Sequence, residues 1–180
     1  RLPYAPEPLP APLRADLIDA AAAHGCALAV IEEPADKAAL GALVAEGDRA
    51  QFADPAFRRE LAAWVRSRGA GSGDGMSGAA FGMPDRLSWA GAFAIRSFDM
   101  GRRQGATDQT LAAAAPALLV LATQTDTPEH WLRAGMALSS VLLTLAAAGW
   151  TAAFLNQPIE TDRLRPRVRD AAGLAAHPQL

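Results

Sequence analysis

Residues 127–157, TPEHWLRAGMALSSVLLTLAAAGWTAAFLNQ, decide how this chain is read. Thr127 can cap a helix, Pro128 suits the first helical position, and Glu129 favours the positive end of the helix dipole. Apolar residues recur at helical spacing at Leu132, Met136, Leu138, Val141, Leu142 and Leu145, while Ala134, Ala137, Ala146 and Ala147 make the other faces nearly apolar too. A helix apolar all round is expected to be buried. Gly149 is placed to end it in a left-handed cap, and Ala152–Leu155 then reads as a short buried strand. The unit is therefore helix, glycine turn, strand. Backbone groups of the turn at Gly149, Trp150 and Thr151 would lie close to any flat ligand resting there.

No charged side chain occurs from Ala134 to Ile159, so length alone permits a membrane span. Ser139, Ser140 and Thr144 in its middle, Gly149 before its end and Asn156-Gln157-Pro158 after it argue instead for the core helix of a soluble domain.

Working outward, residues 1–12 carry five prolines and read as an extended arm. Leu13 to Ala23 is helical, with Leu13, Leu17, Ile18 and Ala21 on one face and Gly25 stopping it; Cys26 to Ile31 is a buried strand. Pro34 opens a second helix with Leu40, Leu43 and Val44 inward. Asp54-Pro55 opens a third, with a stripe of Phe57, Leu61, Trp64 and Val65. Residues 67–84, SRGAGSGDGMSGAAFGMP, form a glycine-rich loop without the Gly-Lys-Ser/Thr of a phosphate-binding loop, suited to a lid or to an arm reaching to a partner. Leu87 to Met100 has a weak helical pattern, Gly101 to Thr110 is polar and reads as loose, and residues 67–110 together form a lid or loop region. Ala117 to Thr123 is the strongest strand signal. Thr161 can cap a last helix to Ala172, which Pro166 would kink or delay. Strands alternating with helices give an α+β or α/β class, in a single domain over residues 1–180.

Nineteen acidic residues against seventeen basic ones leave a net charge of −2, which gives no electrostatic reason to expect nucleic acid. Cys26 stands alone, excluding an internal disulfide, and in an apolar strand it reads as a structural thiol. His24, His130 and His177 share no metal spacing. Ser139-Ser140 lack a nucleophile elbow, and no catalytic carboxylate pair stands out. No signal peptide opens the chain, so a cytoplasmic setting is the default expectation. The start at Arg1 and the apolar ending at Leu180 suggest a piece of a longer protein. A fold without its own catalytic set suits chemistry that belongs to a bound cofactor.

Four stretches carry a resemblance. They are Arg1-Leu2-Pro3-Tyr4, the helix and strand from Leu17 to Ile31, the long helix and glycine turn from Trp131 to Phe154, and His177-Pro178-Gln179-Leu180. With them the chain resembles the nitroreductase family of flavin enzymes. It is most similar to the C-terminal half of the Acg-type branch, in which two nitroreductase-like halves are fused; Asp54-Pro55 to Trp64 and Asp74-Gly75 favour that branch. The resemblance implies a central mixed or antiparallel sheet flanked by helices, with a long buried interface helix packed on a second nitroreductase-like unit, either a homodimer mate or a fused N-terminal half. It implies FMN, NADH or NADPH as electron donor, and two-electron reduction of nitro- or quinone-like acceptors. Arg1 would hold the FMN phosphate, and Ala148, Gly149, Trp150 and Thr151 would line the ring edge through their backbone groups. The family's Asn-x-Gln-Pro-Trp-like stretch is replaced here by the shorter His24-Gly25-Cys26-Ala27, so either the other half of a fused protein supplies one wall of the usual flavin site or the site of this half is vestigial. The alternative is a flavin-binding or flavin-storing protein without turnover, its pocket covered by the 67–84 loop.

Overall fold

The computed structural model describes residues 4–5, 7–66, 74–77 and 88–180. Arg1 and all of the glycine-rich loop except residues 74–77 lie outside the described residues, and the expected phosphate contact and lid lie there with them. In chain order the elements are α1 (Ala11–Ala22), β1 (Cys26–Ile31), α2 (Pro34–Ala53), α3 (Pro55–Trp64), β2 (Val65–Arg66), β3 (Met76–Ser77), α4 (Ser88–Ser97), α5 (Gly101–Ala114), β4 (Leu118–Thr123), α6 (Pro128–Ala147), α7 (Arg165–Ala171) and β5 (His177–Pro178). Among the described residues the class is mixed α+β: seven helices, a three-stranded sheet in the order β1–β4–β5, and a two-residue parallel pair, β2 with β3.

The sheet is antiparallel throughout. β1 pairs with β4 from Cys26 opposite Thr123 to Ile31 opposite Leu118, and β5 pairs Pro178 with Ala122 and His177 with Thr123. The amide of Leu121 extends that edge by donating to the carbonyl of Leu180 at 2.9 Å. Successive strand residues face opposite sides, and both sides are covered here. Leu121 and Leu119, opposite Leu28 and Val30, face a core built on Leu13, Leu17 and Ala21 of α1 and Ala137, Val141 and Leu145 of α6. Val120 and Leu118 face a second core with Leu40 and Leu43 of α2 and Leu164 and Val168. Covered on both faces, β1 and β4 read in the sequence as unbroken apolar runs.

Several expectations change. Ala152–Leu155 forms no strand; residues 151–154 are exposed and irregular. Two alanines in a four-residue run give little to a pleated ladder, and β4 already has β1 on one edge and β5 on the other. Residues 101–110 are not loose but form most of α5. Its buried positions are Gly101, Gly105, Asp108 and Ala112, one face of a helix made of small and polar groups. That face packs on α2 at close quarters: a Cβ at Gly105 would lie 2.9 Å from the Ala45 carbonyl oxygen, and one at Gly101 2.9 Å from the Asp48 carbonyl oxygen. Ammonium Nζ of Lys37, the one lysine, donates to the Ala115 carbonyl at 2.7 Å at the end of α5, where a cation suits the helix dipole.

α6 is buried along one stripe, Ala134, Ala137, Val141 and Leu145, rather than all round. Leu138 and Leu142 are half-buried, and Trp131, Leu132, Met136 and Leu143 are exposed, because α1 and the sheet cover one side of the helix only. Thr127 caps nothing; its hydroxyl lies 2.8 Å from Nδ1 of His130. The proline-rich arm ends earlier than expected, since α1 starts at Ala11 with Pro12 in its first turn. Ile18 is 40% exposed and does not join Leu17 in the core. The last helix begins at Arg165 rather than at Thr161, with Pro166 accommodated in its first turn. No helix among the described residues is long and apolar enough to cross a membrane.

The α2–α5 contact generates a test. Gly105→Val drives side-chain atoms into the α2 backbone and is expected to cost about 3 kcal/mol of unfolding free energy. Gly135→Ala on α6, where a Cβ meets nothing within 4 Å, is expected to stabilise by about 0.5–1 kcal/mol. Urea denaturation of both variants checks the pair, and equal effects would refute close packing at Gly105.

Candidate functional site

A cleft of about 790 Å³ opens beside the sheet, where α6 ends. That lies within the usual range for small-molecule sites. Its walls come from β4, from Val141 and Leu145 of α6, from Tyr4, Ala5, Glu7 and Leu9 of the arm, and from the run Ala148–Asn156. Ala148, Gly149, Trp150 and Thr151 all stand on this wall. Arg1 lies outside the described residues, three positions before Tyr4.

The turn is built as its sequence dictates. Gly149 has φ +78°, a left-handed conformation that costs a residue with a Cβ about 1 kcal/mol or more. The Trp150 amide donates to the Leu145 carbonyl at 2.8 Å and the Gly149 amide to the Ala146 carbonyl at 3.0 Å. This is the paired closure of a Schellman motif, and Trp150 packs on the core that holds Leu145. The cap has a consequence for binding. The N–H groups of Ala148, Gly149 and Trp150 are already spent on α6 carbonyls. The amide of Thr151 and the carbonyls of residues 148–151 make no backbone hydrogen bond among the described residues. A ligand edge resting here would therefore find mostly acceptors, with the Thr151 amide and hydroxyl as donors.

Glu7 is the one charged residue on the cleft wall among the described residues. The aliphatic walls fit a flat apolar ring. Among the described residues they offer no cation for a phosphate.

Just outside the cleft, next to its lining residues Asn156 and Pro158, lies a polar cluster not foreseen from the sequence. Asp48 of α2 and Asp108 of α5 are each 2% exposed. Nε2 of Gln157 donates to Oδ1 of Asp48 at 3.2 Å and to Oδ2 of Asp108 at 3.0 Å, and Nε2 of Gln104 donates to the same Asp108 oxygen at 3.1 Å. A faint signal existed: both aspartates lie within three residues of a glycine, in the polar parts of their helices. Their meeting point at Gln157 is 49 residues or more away along the chain.

A second cluster was equally hidden. Asp126 accepts two bonds from Arg165, one from the Trp131 indole at 2.6 Å and one from Gln179 at 3.2 Å. Arg165 also donates to the Pro178 carbonyl at 2.7 Å, and Gln179 to the Thr123 hydroxyl at 2.8 Å. Together these tie β5 to the start of α6. The Arg165 guanidinium first, and then Trp131 and Gln179, hold the Asp126 carboxyl far below the usual carboxylate range.

The other singled-out residues give no catalytic set. Cys26 is 6% exposed, and burial pushes its thiol up, against a smaller opposing pull from Arg133. Such a thiol is a poor nucleophile. His24 Nε2 lies 2.9 Å from the Ser140 hydroxyl, but no carboxylate bonds that ring among the described residues. His130 sits between Thr125 and Thr127 at the start of α6. No group of three or more metal-ligating side chains occurs among the described residues. Compared with known proteins, the chain matches no family model, no curated protein and no solved structure.

The Asp126 cluster predicts a pH signature. Its folded pKa is depressed, so its contribution is complete above about pH 4, the unfolded carboxylate value, and fades as pH falls below that. Asp126→Asn is expected to cost about 1 kcal/mol at pH 7, the pair being partly exposed. The gap between parent and variant should shrink at pH 3. Urea midpoints at pH 7, 5 and 3 decide, and a gap independent of pH would exclude the carboxylate as its source.

Proposed function

We propose that this domain binds FMN in the cleft at the end of α6 and acts as an NADH- or NADPH-dependent oxidoreductase of the nitroreductase type, reducing nitro- or quinone-like acceptors. The observation that carries the reading is the placement of Ala148, Gly149, Trp150 and Thr151. The four residues that the resemblance assigns to the flavin ring edge lie together on the wall of a cleft of about 790 Å³. The arm supports it too, since Tyr4 and Glu7 line the same cleft and lead back to Arg1, the proposed phosphate partner.

Bound there, FMN supplies two-electron transfer between a nicotinamide and an acceptor. The residues of the chain do the rest. The aliphatic wall from β4 and α6 excludes water from one ring face. The Thr151 amide and the free carbonyls of the turn orient the ring's polar edge. No side chain of this cleft is assigned a proton, consistent with chemistry that resides in the cofactor.

The partner in this reading is a second nitroreductase-like unit packed on α6, from the same or another chain. Exposed Leu132, Met136, Ser139 and Leu143 repeat at intervals of four, three and four, the seam of a helix that packs on another. A second unit would also supply the flavin wall that the short His24–Ala27 stretch lacks.

The non-catalytic alternative is separated by anaerobic reduction. The complete protein, loaded with FMN, is expected to lose its flavin absorbance on addition of NADH or NADPH; an unbleached flavin would favour storage over turnover. Gly149 tests the site itself. A Cβ there meets nothing within 4 Å, so Gly149→Val strains only the backbone and is expected to cost about 1–2 kcal/mol in stability. FMN affinity, read by fluorescence titration, is expected to fall more than about tenfold, because the added carbons would push away a ring edge lying against this turn. A folded Gly149→Val that binds FMN like the parent would remove residues 148–151 from the site.

A further inference from the structure

The cleft wall between residues 150 and 156 is held at its two ends. At one end Trp150 is turned back onto α6 by the Gly149 cap. Between the ends, Thr151, Ala152, Ala153 and Leu155 make no backbone hydrogen bond among the described residues. At the other end is Gln157. From its position and contacts we infer that Gln157 is a positioning residue for the ligand wall, an inference that rests on the cleft being a ligand site.

Three observations support it. The Gln157 amide nitrogen spans two aspartates on different helices, Asp48 of α2 at 3.2 Å and Asp108 of α5 at 3.0 Å. Both carboxylates are 2% exposed and are engaged elsewhere in the chain as well. An amide nitrogen carries two hydrogens, one for each carboxylate, which neither a carboxylate nor an aliphatic side chain can supply. The backbone is seated as firmly as the side chain. A Cβ at Gly47 would lie 2.7 Å from the Gln157 carbonyl carbon and 2.9 Å from the Pro158 nitrogen, so α2 leaves room for this one passage of chain. Where Thr151–Ala153 and Leu155 make no backbone hydrogen bond among the described residues, the fixed ends of the run set much of its course, and this end is fixed by Gln157. Gln157 itself does not line the cleft; Asn156 and Pro158 on either side of it do.

The test uses the complete protein and two probes: Nile red, a neutral apolar dye, for the shape of the cleft, and FMN for the proposed ligand. Gln157→Leu is expected to weaken Nile red binding at least about tenfold, while the folded apo variant melts only about 5 °C below the parent. Gln51→Ala is the control. It breaks a neighbouring exposed bond, Gln51 Nε2 to Glu160 at 2.6 Å, outside the cleft, and is expected to leave dye binding unchanged. A Gln157→Leu protein that melts early yet binds Nile red like the parent overturns the inference, leaving Gln157 a stability element only. If Gln157→Leu does not fold, Gln157→Asn keeps the amide but falls a methylene short of both carboxylates, and it carries the same two outcomes. A parent that takes up Nile red but not FMN sinks the flavin reading while the dye still judges Gln157. A parent that binds neither overturns both.

Discussion

Val120 and Leu121, neighbours on β4, point into different cores, and that double burial sets where the other elements sit. On the Leu121 side α1 and α6 must close over the sheet; on the Val120 side α2 and the segment leading into α7 must. Each side chain so buried contributes roughly 1.5–3 kcal/mol, so β4 cannot slip by one residue without exchanging one core for the other. β1 copies the constraint through its register, with Leu28 opposite Leu121 and Ala29 opposite Val120. α5 is outside this scheme. Among the described residues it contributes nothing to either sheet core and is held close to α2 by small residues, which is why these matter more than its few apolar ones.

That difference explains what the sequence disclosed. β1, β4, α1, α2 and the left-handed Gly149 were legible because each leaves a local mark: an apolar run, a periodic stripe, or a glycine after a helix. α5 was not legible, because Gly101, Gly105 and Ala112 bury its face by being small and leave no hydrophobic period to read. The run at 152–155 misled for the converse reason. It is apolar, but a strand needs a paired neighbour as well as composition, and pairing is a property of the whole sheet. In the candidate site, the turn at 148–151 was readable from the helix that precedes it. Gln157 with its two aspartates was not, since nothing in one segment announces partners on two distant helices.

Charge follows the same division between local and long-range. Arg133 with Glu129 lies four residues apart on α6 and could be read from spacing; being exposed, it contributes little. The pairs that fix architecture are remote in sequence. Arg163 and Arg167 both bond Glu46, which joins the α7 region to α2 and holds the Glu46 carboxyl below its usual range through those bonds. Arg165 turns the other way and reaches Asp126. The chain from 163 to 167 thus fastens α7 to one face and β5 to the other.

The position of the cleft follows from these fastenings. Thr151 to Leu155 leaves a helix whose end is fixed by a cap and arrives at a residue fixed between α2 and α5. Residues 151–154 are irregular and exposed, with Phe154 47% exposed, and they line the cleft together with β4. The apolar character that made this run look like a buried strand is thereby turned toward a ligand-sized space. A wall of that kind gains from burial only when something apolar lies against it, whether a flat ring or a second unit brought in by the exposed side of α6.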